Sequence, residues 1–184
     1  MSRKTERPAR ATRSLAGQPL AALLGELDSA AVAPGAGAAA AIALALAAAC
    51  AGKAVAISLR HRPQDRTLRA AHPRVVALRA QALKGAAEDA RRFAQFVHAR
   101  SRASAARMLA GERNLQHCAA RLERLLRSLR GRIEPVVRAD IRAAHVLCGA
   151  FQRIQAANLA EGRRALAHPR AGVRGMLRRQ ERQP

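Results

Sequence analysis

Asp89 stands where a helix is otherwise apolar. The run Ala82, Ala86, Asp89, Phe93, Phe96 steps by four, three, four and three, which returns every member to one side of an α-helix, while Glu88 points away. A carboxylate on such a face costs several kcal/mol unless it is paired or stays protonated. Two roles fit: a structural partner for one of the chain's arginines, or an acid or base whose proton affinity is tuned by burial.

A second stripe repeats the anomaly. Val137, Asp140 or Ile141, Ala144, Leu147 or Cys148, Phe151, Ile154 and Asn158 share one helical face, with His145 on its flank. Asp140 and Asn158 lie near the two ends of that face. Asp89, Asp140 and Asn158 are therefore expected to converge, two acids and an amide, on the core of a bundle.

A third feature is backbone chemistry. In "AVAPGAGAAAAIALALAAACAGK", Ala31 to Lys53, the residues Pro34, Gly35, Ala36 and Gly37 open a run of alanine. A proline and two spaced glycines make a helix start with exposed N–H groups, able to hold an anion, and the alanines let another helix or a symmetry mate approach closely. The run is long enough to cross a membrane, but alanine gains little from hydrocarbon, and Ile42, Leu44 and Leu46 are few anchors. "GAGAAA" fits a loose dinucleotide fingerprint with no strand before it, and "CAGKAV" lacks the first glycine of a Walker loop. A close-packing helix with a ligand-binding start is the reading that uses every residue.

The elements that must position these groups are all helical. Strand-like alternation is absent, and Ala, Leu and Arg dominate. Helices are predicted at 15–28, 36–60, 72–102, 104–131 and 134–167, with Pro73 and Pro135 in first turns and Gly131 ending the fourth. In that fourth helix Leu115, Cys118, Leu122, Leu125 and Leu129 form the buried stripe, and Arg121, Arg124, Arg127 and Arg130 lie off it. The expected architecture is an all-α bundle of about five main helices over 15–167, dimerising through the small-residue helix, between basic tails at 1–14 and 168–184.

Composition bounds the partners. The 184 residues make one domain, and the formal charge of +22, nearly all from arginine, favours anionic partners. With no Trp or Tyr and three Phe, the stacking platforms of single-strand binders are missing, and no duplex-reading module is visible. Cys50, Cys118 and Cys148 are odd in number and widely spaced in apolar patterns, so they read as reduced core thiols, neither a disulfide framework nor a metal site. Gly17, Gln18, Pro19, Gly25, Glu26 and Asp28 interrupt the first apolar stretch, which argues against an export signal. A cytoplasmic protein with no membrane partner is expected.

These elements together resemble the cyclodeaminase/cyclohydrolase family, the helical folate enzymes related to the C-terminal domain of formiminotransferase-cyclodeaminase. "LAALLGELDSAAVAPGAGAAAAIALALAAACAGKAVAISL" follows the family's short helix and Pro/Gly start of a small-residue helix. "EDARRFAQFV" matches an Asp-Ala-x-x-Phe element at Asp89, Ala90 and Phe93. "RADIRAAHVLCGAFQRIQAANLAEG" aligns through Asp140, Ala144 and Asn158. The resemblance covers about residues 15–167. It implies methenyltetrahydrofolate cyclohydrolase or formiminotetrahydrofolate cyclodeaminase activity, with the folate as substrate and no further cofactor or metal. By resemblance, Asp89 or Asp140 transfers the proton, Asn158 holds the pterin or the one-carbon bridge, and Pro34, Gly35, Ala36 and Gly37 form the folate-binding helix start. Arg60 and Arg62 meet the glutamate tail. The reading from charge alone is different: a non-catalytic, arginine-rich helical oligomer of the same fold that binds a polyanion such as nucleic acid.

Overall fold

A computed structural model describes residues 17–167, so both expected basic tails lie outside the described residues. The chain forms α1 (Leu20–Leu27), α2 (Ala36–His61), α3 (Arg66–Ala99), α4 (Arg102–Ser128), a 3-10 turn (Pro135–Val137) and α5 (Arg138–Ala167). Among the described residues there is no strand. The last four helices form an all-α bundle in which α2 packs on α3 and α5, and α4 closes the ring between them.

Side chains cap the starts of α3 and α4. Asp65 caps α3, its Oδ1 accepting hydrogen bonds from the Thr67 and Leu68 N–H groups at 2.8 and 3.1 Å. Ser101 caps α4, and Ser104 answers it in a capping box. Arg100, at φ 47°, makes the left-handed step between α3 and α4, and Gly131, at φ 74°, makes the corresponding step after α4.

The Asp65 cap corrects one expectation. Helix α3 begins at Arg66, not near residue 72, and Pro73 lies inside it. Proline removes one N–H, the one that would serve the Arg69 carbonyl. Pro73 and Arg69 are both on the exposed side, where water can serve that carbonyl.

The core runs through α2. Ala40, Ala41, Leu44, Ala47, Ala48, Ala51 and Val55 are buried against Leu68, Val75 and Leu78 of α3, Cys118, Leu122 and Leu126 of α4, and Ala144, Cys148 and Phe151 of α5. All five members of the α4 stripe read from the sequence are buried. All three cysteines are free thiols. Burial pushes the Cys118 and Cys148 thiols up to about 11, so neither is a ready thiolate.

By length and composition alone, α2 is the one helix among the described residues that is long and apolar enough to cross a membrane, and half of its most apolar stretch is packed inside the bundle. The rest of α2 includes Leu46, which is 52% exposed beside half-buried Ala43, Ala49 and Cys50.

Candidate functional site

The connections between the helices are short, so consecutive helices run antiparallel and residues equally far from a turn meet at one level. Gly37 lies twenty-five residues before Arg62, and Asp89 lies twenty-four after Asp65. The two do meet. A Cβ added at Gly37 would fall 2.7 Å from both Cγ and Oδ1 of Asp89, closer than real Cβ atoms come. Asp89 therefore presses its carboxylate onto bare backbone in the first turn of α2, and Gly37 is glycine because that space is taken.

No side chain caps that first turn. Gly35, its extended N-cap at φ −131° and ψ −158°, has no side-chain hydrogen bond to the helix, and Pro34 before it is buried behind a cis Ala33–Pro34 peptide. The initial N–H groups of any α-helix lack intrahelical acceptors, and the helix dipole adds positive potential there. Ala36 is exposed at the rim.

Asp89 is half-buried, and burial pushes its carboxyl up to about 6, while the Arg92 guanidinium one turn along pulls it down. Arg92 is held by Glu88, which also meets Lys84 at 3.8 Å. The Arg92 guanidinium lies over Gly111 of α4, where an added Cβ would come within 2.9 Å of Cζ. Next to Gly111, Glu112 is 5% exposed, and no described hydrogen bond reaches its Oε2. Burial first, then the charges of Asp89 and Glu161, push the Glu112 carboxyl up to about 7. Gly162 of α5 backs it, its Cβ position 3.5 Å from Glu112 Oε2. Gln155 of α5 is 1% exposed, with no described hydrogen bond to either amide atom. Asn158 is half-buried, one turn from both Gln155 and Gly162.

The structure separates the other candidates from this group. Asp140, near the start of α5, meets Lys53 at 3.3 Å. Lys53 is sixteen residues along α2 from Gly37, about 24 Å at 1.5 Å per residue. The expected convergence of Asp140 with Asp89 therefore does not occur within the chain. The apolar stripe gives the face of α5 but not the level, and the turn after α4 delivers the start of α5 beside the end of α2. Arg60 is exposed in the last turn of α2, farther still, and Arg62 pairs with Glu134 at 2.7 Å. His145 is exposed.

Glu112, Gln155 and Arg92 are additions to the sequence reading. Glu112 continues the α4 stripe three residues before Leu115, and Gln155 follows Phe151 by four on the α5 stripe. Both carry the signal that singled out Asp89. Among the described residues no group of three or more His, Cys, Asp or Glu is arranged to hold a metal ion.

With this geometry in hand, comparison with known families finds one that matches most of the chain: the family model for formiminotransferase-cyclodeaminase aligns over residues 19–160. Comparison with curated proteins finds no match.

Proposed function

Because the chain belongs to the formiminotransferase-cyclodeaminase family, we propose that it is a folate one-carbon enzyme in which Asp89 moves the proton. The observation that carries this reading is the Asp89 carboxylate pressed against Gly37 at the start of α2. With its carboxyl at about 6, Asp89 is a base at neutral pH, and its conjugate acid is strong enough to return the proton.

Two reactions use that cycle. In cyclodeamination, N10 of a protonated 5-formiminotetrahydrofolate closes on the formimino carbon. Asp89 takes the N10 proton and delivers it to the departing nitrogen, which leaves as ammonia. In cyclohydrolysis, water adds to the methenyl carbon. Asp89 takes one water proton and passes it to N5 as the carbon–N5 bond breaks, and the second water proton goes to solvent with 10-formyltetrahydrofolate as product. Asn158 supplies the amide for the pterin or the bridge, and the first turn of α2 supplies N–H groups that favour negative charge beside the reacting carbon.

The exposed small-residue face of α2 around Leu46 supports a homodimer, since covering it buries apolar area that the single chain leaves in water. Free thiols and unassisted helical packing suit a reducing cytoplasm. The charge of +22 supports a second reading, polyanion binding by the same fold, which requires affinity for nucleic acid that falls steeply with added salt.

The deciding experiment follows methenyltetrahydrofolate absorbance, and ammonia release from the formimino compound, with purified protein beside Asp89→Asn. Acceleration over the spontaneous rate that disappears in the variant supports the reading. No acceleration of either reaction sinks it.

A further inference from the structure

Glu112 is a carboxyl buried in a chain that has no shortage of cations. Thirty-four Lys and Arg face twelve Asp and Glu, yet the charges acting on Glu112 are those of two acids, Asp89 and Glu161. A buried carboxylate left without a cation is a costly arrangement, and substitution could relieve it easily. The Arg92 guanidinium lies over the adjacent Gly111 but is committed to Glu88. On its own helix the neighbouring Arg113 is exposed, Arg163 and Arg164 beyond Glu161 on α5 are exposed, and α2 carries no Lys, Arg, His, Asp or Glu from Ala36 to Gly52.

The placement is as specific as the burial. Asp89 stands eleven residues before Arg100, and Glu112 stands eleven after Ser101, so the α3–α4 turn brings them to one level. Across the α4–α5 seam, Cys148 Sγ reaches the Ala119 carbonyl at 3.9 Å. About two turns farther along each helix, the same register sets the Gln155 backbone level with Glu112, whose carboxyl reaches on to Gly162, where an added Cβ would lie 3.5 Å from Oε2. An acid with an open Oε2 and an amide with open donor and acceptor atoms thus lie behind Asp89 at the level of Gly37.

We propose that Glu112, buried without a cation behind Asp89, is a positioning residue for Asp89: it keeps its proton after Asp89 has ionised, so between the two ionisations the acid pair carries a single negative charge. The proposal rests on the folate reading for its catalytic meaning, but not for its chemistry. A neutral Glu112 leaves Asp89 as the one base at the start of α2. An ionised Glu112 places a second negative charge behind it, which raises the proton affinity of Asp89 and slows the return of the proton to the leaving nitrogen.

The test has two arms on the full chain. Carboxyl carbon NMR titration of wild type is expected to show coupled ionisations near about 6 and about 7. Glu112→Gln removes the upper one and retains the lower. Asp89→Asn moves the Glu112 ionisation below about 7 while burial holds it above 4.5, and this variant leaves Glu112 itself intact if Glu112→Gln folds poorly. A Glu112 that titrates at its ordinary value, or that is indifferent to Asp89→Asn, overturns the proposal. In the second arm, the wild-type pH–rate profile is bell-shaped, and Glu112→Gln loses its alkaline limb with KM little changed. An unchanged bell overturns the positioning role. A coupled titration in a chain that turns over neither folate overturns the folate reading and leaves the proton-sharing pair standing.

Discussion

Asp89→Asn is expected to stabilise the protein while removing its activity, and only above the acid range. The carboxyl ionises at 3.8 when unperturbed and at about 6 in the fold. The folded chain therefore holds this proton more tightly than the unfolded chain, so between those two values stability falls as pH rises. Above about pH 6 the full cost of ionising Asp89 in place is present, about 3 kcal/mol at ~1.36 kcal/mol per pH unit. Asp89 keeps partial access to water, and screening discounts this to roughly 1–3 kcal/mol. Asparagine has nearly the same shape and no charge to bury, so the variant recovers that amount at pH 8 and nothing at pH 3.

For a chain of this size each kcal/mol moves Tm by ~2–4 °C, so the variant should melt roughly 3–10 °C above wild type at pH 8 and level with it at pH 3. Thermal unfolding by circular dichroism at constant ionic strength reads this directly. Turnover should fall by ~10²–10⁴, the usual worth of a positioned proton-transfer group. A variant less stable than wild type at pH 8, or a Tm difference that is the same at both pH values, would refute the claim that Asp89 is ionised against a burial cost.

Three further outcomes test the geometry. Gly37→Ala puts a methyl where the Asp89 carboxylate now lies; since alanine favours the helix by ~1 kcal/mol, a loss of turnover near ~10²-fold without a loss of Tm marks displacement of the base, and unchanged turnover means that the contact is dispensable. Asp140→Asn opens the Lys53 pair at the other end of α2; its cost is expected at ~0–1 kcal/mol, with the acid limb of the pH–rate profile unmoved, and a shifted limb would show that Asp140 reaches the site after all. Leu46→Arg on the open face of α2 should convert a dimer to a monomer in light scattering at micromolar concentration; a wild type that is already monomeric contradicts the dimer.

Helical periodicity made the faces of this bundle readable and left the levels unread. The α4 stripe and the inward Asp89 followed from spacing alone, because the core selects apolar residues by angle around each axis. Asp140 and Asn158 share a helical face as well, yet Asp140 meets Lys53 while Asn158 lies near Gly162, at opposite ends of α5. Angle cannot distinguish the ends of a helix. Pro73 suits a first turn and points to an α3 start near residue 72, whereas the Asp65 cap supplies two hydrogen bonds to the first turn and sets the start at Arg66.

The missing coordinate was present in the turns. Once the connections at 62–65 and 100–101 are accepted as tight, counting outward from them pairs Gly37 with Asp89 and Asp89 with Glu112, with no reference to any side-chain contact. Counting across the α4–α5 seam needs one fixed pair, and Cys148 with Ala119 supplies it, which sets Gln155 level with Glu112. Polar residues on apolar stripes are common enough to be discounted one by one. Asp89, Glu112 and Gln155 stand on three different helices at the same distance along the bundle, at the level where Gly37 begins α2, and that coincidence is what separates a site from three unrelated flaws in a core.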